Sequence, residues 1–393
     1  MIRFLLYLLV FISFTDLFGQ LPIVSTYAQS LHATTGFIGF IVGAYSLTNL
    51  FSNVFAGHFV DKNGPKKVML AGFLLNGIIL FLYALVTTPE QLLIVRFLNG
   101  ITAGVITPAA FTYITLNNKD KKSGQEMAYS GAAVGLAAIS APAFSGIISS
   151  AYSFELVYII LAILMGIGFI LTITLKPAEP QLADGPERSE EKKSPLADYF
   201  PLFKSKGLLL SFTGAFSLAA SQGVLAYMLP LKVSNLNMES HISGMLMSVF
   251  GIVAILVFVL PTNRIFDRAR TRNEIILAIG LLIAAVSQTT NGIVDSLSFL
   301  IISMSIYGIG FAFIFPSMSS LISKYSPPNM RGKAFGLFYG FFSIGSFLGS
   351  SITGMFSLTP NQGFVSIAVF LVIVSLIIIR TARKIPAETA NAK

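Results

Sequence analysis

The sequence predicts an all-α integral membrane protein of twelve transmembrane helices, arranged as two pseudo-symmetric six-helix bundles. Three observations carry this prediction. The composition is too apolar for a soluble exterior, twelve runs are long enough to cross a bilayer, and the basic residues keep to alternate loops.

Of 393 residues, 54% are hydrophobic and 11% charged, against about 25% charged in ordinary soluble domains. A soluble fold of this length would need a far more polar surface. Cysteine is absent, which excludes a disulfide framework, a thiolate zinc site and a cysteine nucleophile. The three histidines, His32, His58 and His241, are too scattered for a metal site. The net charge of +9 would suggest nucleic acid in a soluble protein. In a membrane protein the same excess belongs to cytoplasmic loops, so the expected partner is the bilayer and no nucleic acid.

A bilayer core needs about 20 apolar residues per helix. The first run, 5–28, follows Arg3 like a signal peptide, but it is too long and lacks an A-x-A-like cleavage site. It reads as a retained helix. The runs 36–58 and 68–87 are joined by a turn holding Lys62, Lys66 and Lys67. The runs 91–114 and 127–151 flank Lys119, Lys121 and Lys122, and 154–176 completes the first half. The second half reads 207–230, 242–262, 274–291, 296–323, 333–357 and 363–382. Twelve spans place 24 of the 26 basic residues on one side; the opposite loops hold only Lys232, and Arg96 lies within a span. A wrong span count would scramble that pattern, so both termini are expected in the cytoplasm.

The stretch "PAEPQLADGPERSEEKKSPLADYF" has the Pro, Gly and mixed charge of a linker. It divides the chain into an N-terminal bundle (1–176), a cytoplasmic linker (177–206) and a C-terminal bundle (207–393). The halves repeat at an offset of 208 residues: Leu21-Pro22 meets Leu229-Pro230, Gly100 meets Gly308, Pro108 meets Pro316 and Gly146 meets Gly354. Internal repeats are a mark of secondary transporters, whose sites lie near the midplane.

Three motifs stand in register with these spans. The loop "GHFVDKNGPKK" closely resembles the signature loop of the major facilitator superfamily, G-x-x-x-D-R/K-x-G-x-R/K-R/K, through Gly57, Asp61, Lys62, Gly64 and Lys66. The resemblance implies a conformational latch, with Asp61 facing the N-terminal N–H groups of span eleven. Pro65 stands where a basic residue is commoner, which removes one charge from that network. In span four, "LIVRFLNGITAG" resembles the family's L-x-x-x-R-x-x-x-G-x-x-x-G, with Arg96, Gly100 and Gly104 at the defining positions. Small residues at this spacing let helices approach closely. In span five, "GLAAISAPAFSG" is similar to the exporters' G-x-x-x-G-P-x-x-G-G, with Pro142 and Gly146 retained but Ala141 and Ser145 replacing glycine. The resemblance covers the whole chain and points to the twelve-span drug:proton antiporter branch. It implies a monomeric, multi-pass transporter of the bacterial plasma membrane, with no cofactor beyond the coupling proton.

Charges within the spans are few. Asp16 lies midway along span one and Arg96 in the outer third of span four, while their repeat partners are Val224 and Met304. An arginine at a helix centre costs about 2.5–3.5 kcal/mol on insertion scales, so a role beyond snorkelling is expected. Burial favours the neutral form of a carboxyl group and a nearby guanidinium the charged form. A change in either during rocking would couple proton binding to transport, which assigns proton coupling to Asp16 and Arg96. On ideal helices the two differ by about 9 Å in depth, so contact through water is the expectation. Gln20, Tyr45, Asn49, Asn99, Gln222 and Tyr307 are candidate cavity residues, and the "FGLFYGFF" and "FAFIFP" runs offer an aromatic wall.

Two functions fit. One is proton-driven export of small amphipathic or drug-like compounds; the other is proton symport of a nutrient such as a sugar or organic acid. No catalytic constellation stands in a suitable setting, so an enzyme is not expected.

Overall fold

The computed structural model describes residues 2–116, 123–176, 200–259, 272–327 and 330–384. Each predicted span contains a helix over its described residues. Span one comprises α1 (Ile2–Gln20) and α2 (Val24–Ser30), followed by α3 (Thr35–Asn63), α4 (Pro65–Tyr83), α5 (Pro89–Leu116), α6 (Ser123–Ala151) and α7 (Phe154–Thr174). A short α8 (Phe200–Lys204) precedes α9 (Lys206–Asn235), α10 (His241–Val259), α11 (Asn273–Ile293), α12 (Leu297–Tyr325), α13 (Arg331–Met355) and α14 (Pro360–Ala382). Among the described residues eleven helices are singly long and apolar enough to cross a membrane, and the bent α1–α2 pair makes twelve.

Turn chemistry, rather than apolarity, sets the helix ends. The run 5–28 is broken, with α2 bent by 47° from α1. Pro22 explains the break: it has no N–H for the helical ladder and disfavours helical geometry at Leu21. The break follows directly on Gln20. Gly64 joins α3 to α4 at φ +79°, a backbone region open to glycine without strain. Pro65 then takes the first helical turn, where a missing N–H costs nothing. Ser153 caps α7 by accepting from the Leu156 N–H at 3.2 Å. At α14, Thr359 and Gln362 form a reciprocal capping box.

One loop assignment changes. Lys232 lies in the last turn of α9 and is buried, not in a loop. Its helix runs five residues beyond the apolar stretch 207–230 that predicted it.

The chain forms two compact units. The first comprises Met1–Asp184 with Ala226–Gly251 and Ser350–Leu358; the second comprises Gly185–Leu225, Ile252–Gly349 and Thr359–Lys393. Within the first, small residues bring helices together. A Cβ at Gly39 would lie 2.8 Å from the Gly354 Cα, and one at Gly146 would lie 3.2 Å from the Gly244 Cα. Polar contacts join the same segments: Ser243 Oγ donates to the Pro22 carbonyl (3.2 Å), Tyr227 OH to the Thr35 carbonyl (2.6 Å) and Ser248 Oγ to the Ile139 carbonyl (2.6 Å). Within the second unit, Gly280 and Gly310 face each other across α11 and α12. Large apolar side chains such as Leu75, Ile163, Phe299 and Ile373 point outward. Lipid tails are as apolar as these side chains, so exposure to the bilayer carries no penalty.

Candidate functional site

The N-terminal half buries a polar cluster built from three helices. α1 carries Asp16 and Gln20 one turn apart on one face. α4 contributes Asn76, and α5 contributes Arg96, Asn99 and Thr102. Asp16, Gln20, Asn76 and Asn99 are fully buried, and Arg96 is 3% exposed.

The hydrogen bonds form a closed scheme around the carboxylate. Gln20 Nε2 donates to Asp16 Oδ1, while Asn76 Nδ2 (2.8 Å) and Asn99 Nδ2 (3.2 Å) donate to Oδ2. Asn99 Nδ2 also donates to Asn76 Oδ1 at 2.9 Å, and Thr102 donates to that oxygen at 2.7 Å. Gln20 Nε2 reaches Asn99 Oδ1 at 3.1 Å, and its Oε1 accepts from Arg96 Nη1 at 2.5 Å. The orientation of Gln20 follows from its neighbours. A guanidinium only donates and a carboxylate only accepts, so the amide oxygen faces Arg96 and the nitrogen faces Asp16. Three donated bonds are what an ionised carboxylate matches, since its lone pairs are acceptors.

Arg96 does not snorkel. Its guanidinium lies over the Tyr45 ring, 4.9 Å from the centroid, a geometry in which the ring's quadrupole attracts the cation. Its Nε has no hydrogen-bond partner among the described residues. Aromatic side chains close the cluster: Tyr83 OH donates to Asn99 Oδ1 at 3.4 Å and stacks on Tyr158 at 4.2 Å. Tyr27 OH donates to the Tyr83 carbonyl at 2.9 Å.

The structure adds a protein link between Asp16 and Arg96. Gln20 bridges the two groups, its Nε2 donating to Asp16 and its Oε1 accepting from Arg96. Gln20 stands one turn from Asp16, about 6 Å along the axis, which takes up most of their difference in depth. Gln20 and Asn99, candidate cavity residues, are both members of this buried cluster.

The remaining sequence candidates are placed as follows. Asn49 bonds to the Gly100 carbonyl at 3.5 Å and accepts from Asn53 at 2.6 Å, a tie between α3 and α5. Gly100 and Gly104 sit at that crossing; a Cβ at Gly100 would lie 2.5 Å from the Tyr45 carbonyl oxygen, and one at Gly104 2.7 Å from Ser52 Cβ. Pro142 and Gly146 of α6 face Gly244. Gln222 is partly exposed. Tyr307 is fully buried and donates to Ser221 Oγ at 3.0 Å, which also accepts from Gln288 Nε2 at 2.7 Å. In the signature loop Lys62 is exposed, and Lys66 Nζ donates to the Ile173 carbonyl at 2.9 Å and to the Leu175 carbonyl. Lys66 thus caps the carbonyl end of α7, where a cation is favoured. The side chains of Gly57 and Asp61 lie outside the described residues.

Sequence reasoning missed Asn76, Ser221 and Gln288. Asn76 is a single polar residue inside an apolar run ("LLNGIIL"), which was the available signal, whereas Ser221 and Gln288 stand beside other polar residues ("LAASQGV", "AAVSQTT"). The aromatic runs divide: Phe338 is buried and Tyr339 exposed. Ring centroids link Phe258 to Phe311 (6.3 Å), Phe311 to Phe315 (5.8 Å) and Phe315 to Phe338 (6.3 Å).

Repeated helical halves and an ionic pair buried in lipid-spanning helices define a membrane transporter and not an enzyme. The profile of the Major Facilitator Superfamily matches residues 6–288 and 212–393. The chain belongs to that superfamily. It is 25% identical over 370 residues to an uncharacterized MFS-type transporter of Methanocaldococcus jannaschii, covering 93% of this chain and 94% of the relative. It is 25% identical over 372 residues to Multidrug resistance protein 1 of Bacillus subtilis, covering 92% of each. Among solved structures, a bacterial homologue of the human lysosomal transporter Spinster, in an inward-facing and unoccupied conformation, superposes with a TM-score of 0.82 at 16% identity. That superposition covers 99% of this chain and 98% of the other.

Proposed function

We propose that the protein exports small amphipathic compounds across the plasma membrane in exchange for protons, with Asp16 as the proton site. The observation that carries this reading is the sealed cluster of Asp16, Gln20, Asn76, Arg96 and Asn99. A carboxylate at this depth is expensive, and in membrane proteins such groups mark ion and proton pathways. Each inward proton supplies about 2.3 kcal/mol per 100 mV, enough to drive a solute outward. The aromatic chain from Phe258 through Phe311 and Phe315 to Phe338 suits apolar ligands. The similarity to a multidrug resistance protein supports the same substrate class. Both termini lie in the cytoplasm in this reading, the protein works as a monomer, and the proton is its only cofactor.

The test is transport in inside-out vesicles, with chemically varied fluorescent cations, neutral dyes and anions, each with and without an imposed pH gradient. Gradient-driven accumulation by the wild type and its loss in Asp16→Asn, with insertion unchanged, are expected. Undiminished gradient-driven transport by Asp16→Asn would refute the proton site. Transport in the same direction as the protons would establish symport of a nutrient instead.

A further inference from the structure

We propose that Gln20 is a positioning residue that carries the protonation state of Asp16 to Arg96 by turning over its side-chain amide. The proposal rests on Asp16 being the proton site.

The geometry leaves a proton on Asp16 without an acceptor. Both carboxylate oxygens face N–H donors: Gln20 on Oδ1, Asn76 and Asn99 on Oδ2. When a proton from water forms an O–H bond at Asp16, that oxygen becomes a donor and meets a donor. One amide has to turn or withdraw, because two opposed donors in a buried site leave both unsatisfied.

The three amides differ in which carboxylate oxygen they hold and in what else they bond. Asn76 and Asn99 lock each other, since Asn99 Nδ2 bonds Asn76 Oδ1 at 2.9 Å and Thr102 secures the same oxygen at 2.7 Å. Turning either puts nitrogen against nitrogen or oxygen against oxygen inside that pair. Gln20 alone holds Oδ1. When Gln20 turns, its Oε1 accepts the new O–H but comes to face Asn99 Oδ1, to which Nε2 had donated at 3.1 Å, so the two oxygens must draw apart and Asn99 Oδ1 keeps Tyr83 OH at 3.4 Å. The bond that cannot survive is the one to Arg96, whose Nη1 stands 2.5 Å from the present Oε1. After the turn, an NH2 group faces the guanidinium and both are donors. Arg96 is released from Gln20 but retains the Tyr45 ring beneath it at 4.9 Å. When the proton leaves to water, the sequence reverses.

Gln20 bonds both Asp16 and Arg96 directly, whereas Tyr83, which also contacts Arg96, is linked to the carboxylate through Asn99. The titratable or charged groups facing Asp16 are Arg96 from α5, Tyr45 from α3, Tyr83 from α4 and Tyr158 from α7. Residues 130–151 of α6, which also packs on α1, carry no charge. A neutral carboxyl also leaves the cluster with the uncompensated charge of Arg96, which favours its movement toward water or an anionic partner.

The test uses the full-length protein in lipid nanodiscs and needs no substrate. Infrared difference spectra follow the protonated-carboxyl band, identified as Asp16 by its loss in Asp16→Asn. Nuclear magnetic resonance of isotope-labelled arginine follows Arg96, identified by the signal missing in Arg96→Lys. In the wild type the Asp16 band and the Arg96 signals are expected to change over the same pH interval. In Gln20→Met, which keeps length but removes both hydrogen-bonding functions, the Asp16 band still titrates and the accompanying Arg96 shift is lost. Arg96 signals that stay constant while wild-type Asp16 titrates would overturn the relay, with no variant needed. An Arg96 shift preserved in Gln20→Met would overturn it too. Absence of any Asp16 band across the pH range would instead remove the proton-site reading and the relay together.

Discussion

Each half of the molecule buries a polar cluster on the same three helices of its repeat, and the two clusters differ in charge. In the first half α1, α4 and α5 supply Asp16, Asn76 and Asn99, with Arg96 joined through Gln20. In the second, α9, α11 and α12 supply Ser221, Gln288 and Tyr307. Tyr307 is the repeat partner of Asn99 at the 208-residue offset, and Ser221 is that of Ser13. Where Asp16 and Arg96 stand in one half, the other buries Val224 and Met304. A second shared feature makes the contrast sharper. Lys66 donates to carbonyls at the end of α7, and Arg272 Nη2 donates to the Ala382 carbonyl at the end of α14. Polar ties among the three helices and cationic caps on the last helix therefore belong to the fold. The buried carboxylate and guanidinium, bridged by Gln20, belong to one half.

The comparison can be broken at graded cost. The largest effect is expected from Asp16→Asn, which removes the titratable group, leaves Arg96 as the charge of the first cluster, and abolishes gradient-driven transport while the protein still inserts, as vesicle assays would register. Arg96→Met copies the second half at one position only and leaves a buried carboxylate uncompensated. A loss of about 3–5 kcal/mol is expected, read as a lowered unfolding temperature in detergent. Adding Asp16→Val to Arg96→Met completes the copy; stability should return to near the wild-type value with proton linkage still absent, since buried charges are replaced by packed apolar groups. A double variant as unstable as the single one would mean that the ion pair is needed to build the half-bundle.

Smaller effects probe the neutral side. Tyr307→Phe removes one neutral hydrogen bond and should lower stability by about 0.5–1.5 kcal/mol, leaving the pH dependence of transport as in the wild type. A changed pH profile would assign the second cluster a share in coupling. Lys66→Met removes the cation at the end of α7 and should cost about 0.3–1 kcal/mol, measured by the same thermal unfolding. A loss of transport with unchanged stability would instead favour the latch role implied by the signature loop.

Span number and order were legible in the residues because the bilayer sets a length and a polarity that few other environments impose. Asp16 and Arg96 were legible for the same reason, since ionisable groups in apolar runs stand out. Gln20 and Asn99 were visible, but as cavity residues; nothing along one helix says which neighbour a neutral amide will face. Asn76 went unseen because a single polar residue in a span is a common tie between helices, and Gln288 because it stands in the polar run 287–291 at the end of its span. The break after Gln20 was masked by the apolar run 5–28, although Pro22 marked it.

What the sequence by itself determined, then, is the membrane fold, the repeat and the presence of one aspartate and one arginine in a single half. Those follow from hydrophobicity and charge, which are additive along the chain. Tertiary structure alone decided that Gln20 would stand between the two charges, that Asn76 and Asn99 would hold the other carboxylate oxygen, and that Lys66 would cap α7. Hydrogen bonds are directional and short, so their partners depend on how helices rotate and cross, which no single span encodes.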